Sequence, residues 1–173
     1  MNSRGRRCIY FVEGECERTF VNAMKMPPSG LIPGKVKICN VAQDIIPKSY
    51  LMAIQPGTIV ALIYDTDKGG SDVLSKNIQR IRKYCGNVTI VTMAQVDKFE
   101  HEIERGTDVK SAHDLTKSRS EKNFKTALSQ MKPVDCRNLL ERHKIDLGNM
   151  WVTMPPAPFS DFIQNGNRVK VEK

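Results

Sequence analysis

The sequence predicts an α/β protein: a mostly parallel sheet flanked by helices, followed by a largely helical C-terminal extension. Three observations lead there. Short apolar or β-branched runs alternate with helix-like periodicity through about residue 95. Residues 58–64 are apolar almost without interruption, as in a strand covered on both faces. Beyond residue 95 the pattern turns helical and more polar. At 173 residues the chain is long enough for one core. The expected division is an α/β core over 1–105 and a helical extension over 106–173 packed on it, together one compact domain.

Residues 8–12, CIYFV, read as the first strand. A helix follows over 15–26, with Phe20, Val21 and Met24 on its inner stripe, ended by Pro27 and Pro28. Residues 36–41 suit a second strand, and 44–54 a short irregular or helical piece before the turn signal Pro56-Gly57. The strand at 58–64 leads into a helix at 71–84, where Leu74, Ile78 and Ile81 form the apolar stripe. Residues 87–93 give another β-branched strand. Helices are expected over 98–105, 120–131 and 135–143, then a last edge strand at 150–154 and an irregular close around PPAP and FSDFI.

The chain holds 27 Lys and Arg against 19 Asp and Glu, a formal +8, which favours an anionic partner, although such an excess also keeps a chain dissolved. The cations are spread over Arg4, Arg6 and Arg7, over Lys76, Arg80, Arg82 and Lys83 of one expected helix, and over 105–125. That spread suits tracking a phosphate backbone better than reading bases, with Arg80 a candidate substrate contact. The five cysteines are odd in number and form no CxxC pair, so reduced, buried residues are expected and no disulfide frame or zinc site. His101, His113 and His143 are too scattered for a metal motif. No apolar segment of signal or membrane-span length follows the basic N-terminus, which places the expectation in the cytoplasm, away from membranes.

Two stretches carry charge where a parallel sheet presents its ligand edge. In IYDTDKGG, Asp65 and Asp67 leave the strongest strand one residue apart, a spacing that lets two carboxylates converge on a hard cation such as Mg²⁺ or Mn²⁺. Gly69 and Gly70 allow a tight turn and leave room for an anionic ligand. Acid pairs behind a strand are also common turn residues. In FVEGE, Glu13 and Gly14 sit at the junction of the first strand and first helix, while Glu15 and Glu17 fall where acids favour the positive end of a helix. Lys68 lies inside the glycine loop and Arg18 on the first helix. Either suits a phosphate, yet Lys68 is also placed to neutralise Asp67, and Arg18 to pair with Glu15 or Glu17.

YFVEGE and ALIYDTDKGG together resemble the two signature elements of the Toprim family, over roughly residues 6–95. In that family a strand ends in Glu-Gly, matched by Glu13-Gly14, and a later strand ends in Asp-x-Asp, matched by Asp65 and Asp67 with Gly70 behind. Small stand-alone members, OLD-like nucleases, RloB-like proteins and RNase M5, are nearest in style. The resemblance implies a Rossmann-like fold and Mg²⁺- or Mn²⁺-dependent hydrolysis of phosphodiester bonds in DNA or RNA. It implies Asp65 and Asp67 as metal ligands and Glu13 as general acid/base or ligand to a second metal. It also implies a further acid from DKFEHEIE, Glu100 or Glu102, and a setting in defence, repair or RNA processing, with a homodimer or an associated protein among the partners. A non-catalytic nucleic-acid-binding module is the main alternative. A haloacid-dehalogenase-type phosphatase, which also uses Asp-x-Asp, leaves Glu13-Gly14 unexplained.

Overall fold

The computed structural model describes residues 7–28 and 30–171. Arg4 and Arg6 of the basic N-terminus lie outside the described residues. Four strands, β1 (Cys8–Val12), β2 (Gly34–Ile38), β3 (Ile59–Asp65) and β4 (Thr89–Gln95), form one all-parallel sheet in the order β2-β1-β3-β4. Helices α1 (Glu15–Met24), α2 (Lys48–Met52) and α3 (Ser71–Tyr84) make the crossovers. After β4 come α4 (Phe99–Gly106), α5 (Ala112–Leu115), α6 (Glu121–Ser129) and α7 (Pro133–Arg142), then 3₁₀ turns at Leu147–Asn149 and Gly166–Val169. This is an α/β fold with a parallel sheet between helical layers, consistent with a Rossmann-like arrangement.

Alternation along the strands builds both layers. Tyr10, Val12, Ala61, Ile63 and Met93 point to one face, where they meet Phe20 and Met24 of α1, Phe99 of α4, Phe124 and Leu128 of α6, Leu140 of α7, and Trp151. Ile9, Phe11, Val60, Leu62 and Tyr64 point to the other, against Leu51 of α2, Leu74 and Ile81 of α3, and Phe159. Helices α6 and α7 and Trp151 therefore share the first layer's core with α1, while Phe159 packs on the other layer. All seven residues of β3 are buried, the last of them Asp65.

The expected edge strand at 150–154 is not formed, for two reasons. Trp151 adopts φ 53°, in the left-handed region outside any strand, and its N–H donates to Glu102 Oε2 at 2.8 Å. The free edge of β4 is met instead by amides from the C-terminal segment. Ala94 N–H donates to Gln164 Oε1 at 2.9 Å and Gln164 Nε2 donates to Ala94 O at 2.8 Å; Thr92 N–H donates to Asn165 Oδ1 at 2.7 Å. Two side chains thus do at Thr92 and Ala94 what a fifth strand would do. Trp151 is a core residue, 1% exposed and edge-on to Phe20.

The second strand starts and ends earlier than expected. It begins at Gly34, where a Cβ would meet Cys8 O at 2.2 Å, so the close approach of β2 to β1 requires glycine there. Val41 and Ala42 are instead buried at the start of a loop that Asn77 of α3 holds from within. Asn77 Oδ1 accepts from Ile46 N–H at 2.9 Å, and its Nδ2 donates to Val41 O at 2.9 Å and Asp44 O at 2.8 Å. Gly69 packs on that loop: its φ is +87°, and a Cβ there would meet Ala42 O at 2.6 Å. Asn77→Ala would strand two buried backbone groups and one part-buried one. The expected cost is about 3 kcal/mol, read in a thermal melt as a Tm lowered by roughly 6–12 °C.

Candidate metal centre

The parallel strands bring the carboxyl ends of β1 and β3 to one edge, and the acids gather there. Glu13 follows β1 directly, Asp65 is the last residue of β3, and Glu17 stands in the first turn of α1. Each offers a carboxylate oxygen, and the three oxygens lie within 4.8 Å of one another. Glu17 and Asp65 are buried and Glu13 half-buried. Glu100, in the first turn of α4, is 3% exposed, and its charge acts on both Glu17 and Asp65. The cleft they border, about 320 Å³, is lined by Glu13, Gly14, Cys16, Glu17, Asp65 and Lys125.

The cation that lines this cleft is Lys125. Lys125 of α6 places its Nζ 2.9 Å from Glu100 Oε1 and 3.5 Å from Glu121 Oε1. Burial works against its charge, but the bonds to those two acids outweigh it and hold the ammonium well above its ordinary value. The remaining negative charge has no counterpart. Asp65 Oδ1 and Glu100 Oε2 are buried without a hydrogen-bond partner. Such atoms are costly unless a proton or a cation reaches them.

The protonation equilibria reflect this. Burial raises the Asp65 carboxyl far above the usual range, and the charges of Glu13, Glu17, Asp67 and Glu100 push it further. Burial also raises Glu13, with the Asp67 charge adding to it. Glu17 is pushed up to about 7, first by burial and then by Glu13 and Glu100. Cys16 does not join as a thiolate: burial and the neighbouring acids push its thiol up to about 12, and its Sγ donates to Lys125 O at 3.1 Å. An all-carboxylate donor set with two unsatisfied buried oxygens fits a hard divalent cation and does not resemble a zinc site.

The other expected site residues divide. Asp67 is not among the three acids that converge: it is exposed, two residues past the end of β3, in a turn fixed by its N–H donating to Asp97 O at 2.9 Å. Its charge still reaches Glu13 and Asp65, which puts it at the rim. Lys68 is exposed beside it. Arg18 is exposed and paired with Glu15 at 2.5 Å. Arg80 is held away from the acids, with Nη2 donating to Ile46 O at 3.1 Å. Gly14 has an extended backbone that any residue adopts, and a Cβ there would touch Glu17 Oε2 at 3.5 Å. Gly69 serves the packing of its loop on Ala42. Gly70 caps α3, and its N–H donates to Ala42 O at 3.0 Å. Of the two later acids, Glu100 borders the cluster. Glu102 is instead structural, bound to Arg105 at 2.7 Å and to the Trp151 N–H.

Two residues escaped the sequence reading. Glu17 lies three, four and seven positions before Phe20, Val21 and Met24, so it is an acid on the buried stripe of α1, and that was its signal. Lys125 carried no comparable signal, since only the packing of α6 on α1 brings it to the cleft. No family model, no curated protein and no solved structure matches this chain. Among the described residues, no helix is long and apolar enough to cross a membrane.

Proposed function

We propose that this chain is a Toprim-like nuclease that hydrolyses phosphodiester bonds in nucleic acid with the help of Mg²⁺ or Mn²⁺. The observation that carries the reading is the convergence of Glu13, Glu17 and Asp65 at the carboxyl edge of a parallel sheet, with a buried Asp65 oxygen that accepts no hydrogen bond from an N–H or hydroxyl group of the described residues. Glu13, Glu17 and Asp65 are the residues that would hold the cation, with the buried Glu100 carboxylate adding negative charge beside them. A divalent cation there supplies charge for the phosphate oxygens and a more acidic water.

The chain's own groups do the rest. Lys125, at the mouth of the cleft, exchanges its bond to Glu100 for one to a phosphate oxygen and so orients the substrate. Lys68 and Asp67 stand at the rim, where Lys68 meets an adjacent phosphate. Glu13 is half-buried with a raised pKa, a suitable place to hold or pass a proton at its carboxylate oxygen. The net positive charge of the chain draws the polyanion in.

The test is a panel of single- and double-stranded DNA and RNA incubated with Mg²⁺, Mn²⁺ or EDTA. Cleavage of at least one member, dependent on the metal and abolished by EDTA, is expected. Binding without cleavage, unchanged by Asp65→Asn, identifies a non-catalytic module instead. Turnover confined to small phosphomonoesters points to a phosphatase of the haloacid-dehalogenase type.

A further inference from the structure

The ion pairs of the described residues fall on α1 or beyond β4; none involves β2, α2 or α3. Yet those three elements hold Lys35, Lys37, Lys48, Lys76, Arg80, Arg82 and Lys83 against one acid, Asp72, in the first turn of α3. Where a carboxylate would ordinarily sit, several of these cations rest on tyrosine rings. Lys37 Nζ lies 4.8 Å from the centre of Tyr50, and Lys48 Nζ 5.2 Å from that of Tyr84, with Arg80 and Lys83 at 5.5 and 5.4 Å from the same ring. Both rings are partly exposed, and each packs at its base on the core of this layer. A groove of about 510 Å³ continues the surface, lined by Arg7, Lys35, Lys37, Tyr50, Ile54 and Gln55.

We propose that this β2–α2–α3 face binds single-stranded nucleic acid, with phosphates on the unpaired cations and bases stacked on Tyr50 and Tyr84. The chemistry selects the ligand. Seven cations against two acids, Asp72 and the exposed Asp44 of the loop between β2 and α2, call for a polyanion, and neighbouring aromatic faces call for one whose bases are free to stack, which a duplex does not offer. Lys37 shares a register position with Phe11 and so faces the α2–α3 layer, whereas the acid cleft is lined from α1 and α6; the two surfaces are separate, and this one binds its ligand without help from the acid edge. The choice of nucleic acid rests on the proposed nuclease reading; the binding face stands on its own cations and rings.

The experiment is fluorescence anisotropy in EDTA with a labelled oligothymidylate of about 20 nucleotides and the matching duplex, at about 50 mM salt where phosphate contacts weigh most. The parent protein is expected to bind the single strand more tightly than the duplex. Combined Lys37→Ser, Lys48→Ser and Lys83→Ser should weaken that binding at least about 30-fold, and Tyr50→Leu with Tyr84→Leu about tenfold or more. Combined Lys110→Ser, Lys117→Ser and Lys122→Ser, which removes the same charge elsewhere, should change it less than about threefold. Melting curves confirm folding of each variant, and lysine changes at solvent-facing sites keep the test open if the tyrosine pair unfolds. No binding by the parent, equal loss in both lysine sets, or a preference for duplex overturns the proposal. Binding as expected without cleavage in the metal panel keeps this face and removes the nuclease reading.

Discussion

Asp65→Asn is expected to lower metal-dependent cleavage at least about 100-fold while raising the Tm of the metal-free protein. Glu13→Gln should lower the rate on the same scale. The two effects have one cause. Asp65 is 8% exposed, its Oδ1 has no partner, and Glu13, Glu17 and Glu100 all add like charge to it. A carboxylate in that position costs the apo fold energy and is useful only to something positive that arrives later. Asparagine removes the cost together with the ligand. Initial rates on the best substrate of the panel, and melts in EDTA, measure both effects. A loss of rate accompanied by a loss of stability would instead make Asp65 a structural residue.

A metal-free protein more stable at pH 5 than at pH 7.5 is the second expected result. The ordinary glutamate value is 4.5, and Glu17 is pushed up to about 7 by burial and by Glu13 and Glu100. Between these values the folded state keeps a proton that the unfolded state has lost. The Glu17 contribution therefore falls as pH rises through that window and levels off above it, while Asp65, raised to about 9, carries the decline further. The size is on the order of 3 kcal/mol for Glu17, or roughly 6–12 °C in Tm, and the upward shifts of Glu13 and Asp65 act in the same direction. Lys125 is shifted upward from 10.5, so its own contribution changes only in the alkaline range. Saturating Mg²⁺ at pH 7.5 should restore the lost stability, and Glu17→Gln should flatten the profile. A melting temperature that climbs from pH 5 to 7.5 in EDTA contradicts this.

Much of the fold is legible in the sequence because burial on both faces leaves a plain signature. Residues 59–63 are continuously apolar, and Leu74, Ile78 and Ile81 keep helical spacing through a helix otherwise rich in cations. The start of β2 is harder to read, since a glycine required by close backbone approach looks like a loop residue until its neighbour is known. The closing segment is harder still. Gln164 and Asn165 act as a strand through their side chains, and nothing in local propensity distinguishes them from surface amides.

The acid site is half legible for a related reason. Glu13 and Asp65 stand at strand ends, where chain order alone places them on one edge. Asp67 shares the motif but leaves the cluster because a turn bonded to Asp97 carries it outward. Glu17 takes part through helix phase, and Lys125 through tertiary packing from about 60 positions beyond Asp65. The charge that balances a site in the absence of its ligand comes from wherever the chain folds back, and that is the part a motif leaves out.

The most direct measurement is a crystal structure of the protein soaked in Mn²⁺ near pH 8, read in anomalous difference maps. The account predicts a peak about 2.0–2.3 Å from Asp65 Oδ1 and from a carboxylate oxygen of Glu13 or Glu17, with the Lys125 ammonium no longer the nearest cation to the cluster. Saturating Mn²⁺ with no peak beside Asp65, and the acids met only by Lys125 and water, would contradict it.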